Sequence, residues 1–223
     1  MNKKLLTLSA LTALTVGCAS TDVTTSGDIA DKPATSSALE TLAVAADLQA
    51  VAIEQQDALL MAAAIRLQQS VPMEAIELEV TESGDEATDK PATNAELTAL
   101  AQQYAGENEN LLAVVDMASM PSAARGDVQG AAGYYSGRVL ANGESEFSIT
   151  FEGGEPAMVM IVGDGDTDLD MFITDRYGNE ICSGLSYSDR ETCGWVVEGG
   201  DTQYTVRVTN LGSIWNAVKV YTN

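Results

Sequence analysis

Histidine is absent from all 223 residues. That absence removes Ser-His-Asp and Cys-His nucleophiles, HExxH metalloprotease motifs and every histidine-ligated metal site. Positive charge is also scarce. Against 11 Lys and Arg stand 33 Asp and Glu, giving a formal net charge of −22. A phosphate backbone is bound by clustered Lys and Arg, so nucleic acid is excluded as a partner. Aromatic residues make up only 5% of the chain, and G-x-S-x-G does not occur. No apolar run reaches the ~20 residues that a bilayer-spanning helix needs. The Ala-rich block 36–71 comes nearest, but Glu54, Asp57 and Arg66 interrupt it. Hydrophobic residues nonetheless amount to 45%. That is enough for a packed core and too much for a wholly disordered chain. On these grounds the chain is expected not to be an enzyme.

The chain begins Met1-Asn2-Lys3-Lys4, a basic start followed by an uncharged Leu-, Ala- and Thr-rich stretch at 5–17. Its length suits a signal-peptide core and is too short for a membrane span. It ends Leu14-Thr15-Val16-Gly17-Cys18, which resembles the lipobox of bacterial lipoproteins. That pattern usually has Leu three residues before the Cys; here Thr15 occupies the place and Leu14 lies one residue further back. The resemblance implies a signal peptide at 1–17 and an acylated Cys18. Ala19, where an Asp would retain such a protein elsewhere, implies the outer membrane. Membrane contact is then by lipid anchor alone. The alternative on the residues alone is an ordinary secretory signal with an incidental Cys18. Residues 18–35 are Thr, Ser, Asp and Gly rich and read as the lipidated Cys and a flexible tether.

From Ser36 to Ser70 there is neither Gly nor Pro, and Ala, Leu, Gln and Glu dominate. The block 36–71 reads as one long helix, or as a helical hairpin broken near Glu54 and Asp57. Ser37 with Glu40 fits a capping box, and Pro72 stops the helix. Leu39, Leu42, Ala46, Ile53, Leu60, Ala63 and Leu67 form the predicted apolar stripe. Residues 72–93 are acidic and read as a linker. Asp31-Lys32-Pro33-Ala34-Thr35 recurs as Asp89-Lys90-Pro91-Ala92-Thr93, each copy leading into a helix. Short helices are expected over 94–120, with Gly106 as a C-terminal cap between them. The stretch 121–137 reads as a second linker.

Beyond Arg138 the period changes from 3.6 to 2. Phe147, Ile149 and Phe151 alternate with polar residues, as do Leu169, Met171 and Ile173, and Tyr204, Val206 and Val208. Residues 157–162 are continuously apolar, which suits a strand buried on both faces. Turn signals at Asn142-Gly143, Gly153-Gly154, Gly178-Asn179 and Gly199-Gly200 separate the runs. The predicted fold class is α+β: an Ala-rich helical region followed by an antiparallel, jelly-roll-like β-sandwich at 138–223. Gly163-Asp164-Gly165-Asp166-Thr167-Asp168-Leu169-Asp170, then Tyr177-Gly178-Asn179, then a closing strand ending Asn210-Leu211-Gly212 resemble the bacterial pre-peptidase C-terminal domain family. The resemblance implies a β-sandwich that accompanies secreted enzymes and serves secretion, stability or substrate contact. The upstream peptidase such domains accompany has no counterpart at 19–137. Cys182 and Cys193, in an exported protein, are expected to form a disulfide.

Asp164, Asp166, Asp168 and Asp170 alternate through a Gly-rich turn into a strand, so their carboxylates could converge on one hard cation. Some members of the family that this module resembles bind calcium in such loops, which makes calcium the candidate cofactor. The alternative is a solvated turn whose Asp side chains cap backbone N–H groups. Trp195 and Trp215 fall in predicted strands and read as core. Tyr177 and Tyr187 fall in loops and are the candidate ligand-contact aromatics. The expected protein is an outer-membrane-anchored, non-enzymatic lipoprotein. It presents a β-sandwich interaction module and a helical segment, 36–120, that meets itself or another envelope protein. A calcium- or carbohydrate-dependent binding module is the alternative, and an enzyme of unknown class the second.

Overall fold

The computed structural model describes residues 37–85, 97–120 and 131–223. Cys18, the tether and the duplicated Asp-Lys-Pro-Ala-Thr segments lie outside the described residues. The first described block forms two helices, α1 (Ser37–Gln55) and α2 (Ala58–Ser70). Gln56 between them takes a left-handed backbone conformation with φ 52°, at a cost of roughly 1–2 kcal/mol. Asp57 offsets that cost by capping α2: its carboxylate accepts from the N–H groups of Leu59 (2.7 Å) and Leu60 (3.0 Å). The break resets the helical phase, so the predicted stripe is only partly right. Leu39 and Leu42 are buried, but Ile53 is 42% exposed and Ala63 faces outward. Ala52, Ala58, Met61, Ala62 and Ile65 are buried between the helices instead.

Residues expected to form an acidic linker supply two short strands, β1 (Met73–Ala75) and β2 (Thr81–Asp85). Ile76-Glu77-Leu78-Glu79-Val80 between them alternates apolar with acidic residues. Leu78 and Val80 pack on the sandwich core while the glutamates stay outside, so net acidity conceals a core-lining segment. Two further helices follow, α3 (Leu97–Ala105) and α4 (Glu109–Ser119). Gly106 closes α3, its N–H reaching the Gln102 carbonyl (3.1 Å). Asn108 caps α4 by accepting from the N–H groups of Asn110 and Leu111. Both helices pack on α2 through Ala101, Ala105, Val115 and Ala118, small side chains that let helices approach closely.

The remaining strands are β3 (Ala132–Val139), β4 (Ala141–Phe151), β5 (Pro156–Val162), β6 (Leu169–Thr174), β7 (Glu180–Gly184), β8 (Arg190–Val196), β9 (Thr202–Asn210) and β10 (Asn216–Thr222). The sandwich therefore draws β1 and β2 from the first stretch that read as a linker and most of β3 from the second. One sheet has the order β1-β3-β10-β5-β8 and the other β2-β4-β9-β6-β7. Every pairing is antiparallel except β1 with β3. Phe147, Phe151, Leu169, Met171, Ile173, Tyr204, Val206 and Val208 all point into the space between the sheets. β5 is buried on both faces for a specific reason. Ala157, Val159 and Ile161 face the other sheet, while Met158 and Met160 face α1.

Leu39 and Leu42 of α1 lie against Met158, Met160 and Tyr221, so the helical layer covers the outer face of the first sheet. An Arg190–Asp47 ion pair joins the same helix to β8. On the far side, the disulfide Cys182–Cys193 links β7 of one sheet to β8 of the other. Among the described residues no helix is long and apolar enough to cross a membrane.

Candidate functional site

The two ends of the sandwich carry the two sets of residues singled out from the sequence. At one end is the Asp-rich turn between β5 and β6. Fully buried Asn216 organises it: its side-chain oxygen accepts from Asp164 N–H (3.1 Å), and its amide donates to the Thr167 hydroxyl (2.8 Å). The Asp164 carboxylate accepts from Ala217 N–H (3.1 Å). Asp189, from the β7–β8 loop, accepts from Gly165 N–H. Gly163 is required by close approach, because a Cβ there would come within 2.5 Å of both Asn216 and Asp189. Burial raises the pKa of Asp189 above the usual carboxylate value, and the nearby Asp164 adds to this.

Asp166 is exposed and Asp168 half-buried. The Asp168 Oδ1 atom is shielded from solvent and has no hydrogen-bond partner among the described residues. Asp170, on β6, is pushed up first by burial and then by the charges of Asp168 and Glu191. Glu191 is itself buried and accepts from the Ser186 N–H (2.7 Å) and hydroxyl. Among the described residues, no three acidic or cysteine side chains converge in an arrangement that could hold a metal ion. The Asn210-Leu211-Gly212 motif closes on itself: the Asn210 side chain accepts from Gly212 N–H and donates to the Ile214 and Val139 carbonyls. No local signal in the sequence pointed to Asn216, Asp189 or Glu191, whose roles come from loops that meet only in the fold.

Tyr187 is fully exposed at this same end, on the β7–β8 loop. Tyr177 lies at the opposite end, on the β6–β7 turn, and is 74% exposed. The fold thus separates the two candidate aromatics.

Around Tyr177 the turn is firmly held. The Asp175 carboxylate accepts from Tyr177 N–H (2.8 Å), Asn179 N–H (2.9 Å) and the Asn179 side-chain amide (2.9 Å). These contacts, led by the Asn179 side chain, hold Asp175 below the usual carboxylate range. Gly178 completes the turn at φ 81°. The Arg176 guanidinium lies over the Tyr177 ring, 5.0 Å from its centroid.

Beside Tyr177 opens a cleft of about 450 Å³, with Trp195 and Tyr204 in its wall and Glu198 and Thr202 at its rim. Trp195 packs edge-on against Phe151 (5.3 Å) and Tyr204 (5.0 Å). It is core, as the sequence suggested, and it also lines the cleft. Its Nε1 is buried without an acceptor among the described residues. Trp215, read as a strand residue, precedes β10 and is half-buried.

No family model matches the sequence, and no curated protein sequence matches it. Several solved structures are distantly similar. One is the pre-peptidase C-terminal domain of collagenase from Bacillus anthracis, at 6% identity and a TM-score of 0.35, covering 40% of this chain and 87% of that one. Another is the periplasmic inhibitor of g-type lysozyme from Aeromonas hydrophila, at 8% identity and a TM-score of 0.30, covering 41% and 86%. A third is a family 35 carbohydrate binding module from Clostridium thermocellum, at 18% identity and a TM-score of 0.23, covering 40% and 90%. At these scores they bear on no functional conclusion; the sandwich is read from the strand pairings above.

Proposed function

We propose that this chain is a non-enzymatic envelope lipoprotein, held at the outer membrane by acyl groups on Cys18, whose folded part is a binding module related to the pre-peptidase C-terminal domains. The observation that carries the binding reading is the cleft beside Tyr177. It is open, it has an exposed aromatic on a fixed turn, and its polar groups are carboxylates, a hydroxyl and a guanidinium. A glycosidase would need one carboxyl with a raised pKa to act as acid. Asp175 is held in the opposite sense and is committed to its turn, so it is not such an acid.

The helical part bears on assembly differently from what its composition suggests. Much of the apolar surface of α1 and α2 is consumed by the first sheet and the neighbouring helices. Assembly through 36–120, with itself or with another envelope protein, would use the apolar residues that remain exposed there, Val44, Val51, Ile53 and Leu59 on α1 and α2 and Val114, Met117 and Met120 at the C-terminal end of the helical region. Two measurements test the proposal. Mass spectrometry of the mature N-terminus is expected to find acylated Cys18; a free thiol there would overturn the anchor. Crosslinking in intact cells, followed by purification, is expected to recover an envelope partner or a self-crosslink through 36–120.

A further inference from the structure

The cleft beside Tyr177 has a chemistry more specific than a general contact surface. Its volume, about 450 Å³, falls within the ~300–1,000 Å³ typical of small-molecule sites. One flat, exposed ring stands at its mouth on a turn pinned by three hydrogen bonds to Asp175, one from Tyr177 N–H and two from Asn179. The walls are pinned as well. Ile181 and Trp195 line the cleft from β7 and β8, and the Cys182–Cys193 disulfide ties those two strands one residue from Ile181 and two from Trp195. Preorganisation of this kind lowers the ordering cost of binding.

Trp195, only 9% exposed, closes the wall with its ring, while its Nε1 is shielded from solvent. The site offers an aromatic face, with the Arg176 guanidinium over one side of it, and the acceptor oxygens of Glu198 and Thr202. Formal charges within it are mixed, and the chain as a whole carries −22, which disfavours an anion. A purely apolar ligand would leave the polar groups unmatched. A neutral ring with one C–H face and several hydroxyls suits an aromatic face flanked by acceptor oxygens.

Resting on the binding-module reading above, we propose that the Tyr177–Trp195 cleft is a saccharide subsite. The ring of a neutral pyranoside stacks on the face of Tyr177 that Arg176 leaves open, and its hydroxyls donate to Glu198.

The test is titration of the full chain with neutral trisaccharides of glucose, galactose and N-acetylglucosamine. Calorimetry and the two indole N–H signals in NMR are the readouts, with Trp215→Phe assigning the signals. At least one trisaccharide is expected to bind and to move the Trp195 signal while the Trp215 signal stays. Tyr177→Ala is expected to weaken binding roughly tenfold, the scale of one aromatic contact, with no change in melting temperature. Tyr177→Phe keeps the ring and should stay within about threefold of wild type by the same reasoning.

Binding that survives Tyr177→Ala but is lost in Tyr187→Ala would overturn the subsite and leave the module reading standing. Binding of none of the three sugars would overturn the saccharide assignment, again without touching the anchor or the crosslinking result. Appearance of new reducing ends would overturn the non-enzymatic reading itself.

Discussion

Replacing Leu39 with Ala tests whether helices and sandwich are one cooperative body. Leu39 is 0% exposed and lies with Met158, Met160, Tyr221 and Val71 between α1 and the first sheet. Its sheet neighbours are fixed in register by the pairing of β10 with β5, so the space left by truncation cannot collapse easily. Leu→Ala at such a site costs about 2–5 kcal/mol, and poor collapse places this one near 3 or above. For a folded unit of this size each kcal/mol shifts the melting temperature by roughly 2–4 °C, so a fall of about 6–12 °C is expected.

The assay is thermal unfolding followed by tryptophan fluorescence. Both tryptophans, Trp195 and Trp215, belong to the sandwich, so the probe sits in one layer and the substitution in the other. Ile53→Ala, on the same helix but 42% exposed, is the control and is expected to cost less than about 1 kcal/mol. A fluorescence transition unmoved by Leu39→Ala, or moved no more than by Ile53→Ala, would refute the docking of α1 on the sheet.

Three further outcomes are expected. Reducing Cys182–Cys193 opens a loop with a sequence separation of 11; chain entropy puts the loss at about 2.8 kcal/mol, readable as a lower melting temperature in reductant. Asp170 has a folded-state pKa above its unfolded 3.8, so its contribution to stability is complete below 3.8 and lost as pH rises through the folded value. Asp170→Asn is therefore expected to stabilise the protein near pH 7 and to converge on wild type at about pH 3.5, measured by denaturant melts at both pH values. Calcium titration tests the four aspartates: coordination would raise the melting temperature and be lost in Asp166→Asn. The hydrogen-bonded role of Asp164 predicts instead a melting temperature indifferent to calcium and to chelator.

The period-2 runs at 147–151, 169–173 and 204–208 were legible because a strand with one buried face writes its pleat directly into the sequence. β1 and β2 were not, since a segment dominated by Glu and Asp reads as solvated when only Leu78 and Val80 turn inward. β3 was hidden by Gly133, Ser136 and Gly137, which break up its apolar residues so that no period-2 run shows. Two effects obscured the helical stripe. The break near Glu54 and Asp57 was one of the two readings and is the one found, but Gln56 gives no warning that the turn is left-handed, and the helix that follows presents a new face. Tyr177 was recognisable as a loop tyrosine from its Asp-Arg-Tyr-Gly-Asn context. Its cleft was not, because Trp195, Glu198 and Thr202 reach it only through the order in which strands are laid side by side.

That order also bears on how the protein is made. β10 lies at the centre of its sheet, between β3 and β5, although it is the last strand in the chain. Neither β3 nor β5 can complete its ladder before residues 216–222 have left the ribosome. The long-range pairings that close the sandwich must therefore wait until nearly all of the described chain exists. Until then β3 and β5 carry unpaired edges on the sides that β10 will fill, so the unfinished sheet is exposed to pairing with other chains for almost the whole time of synthesis.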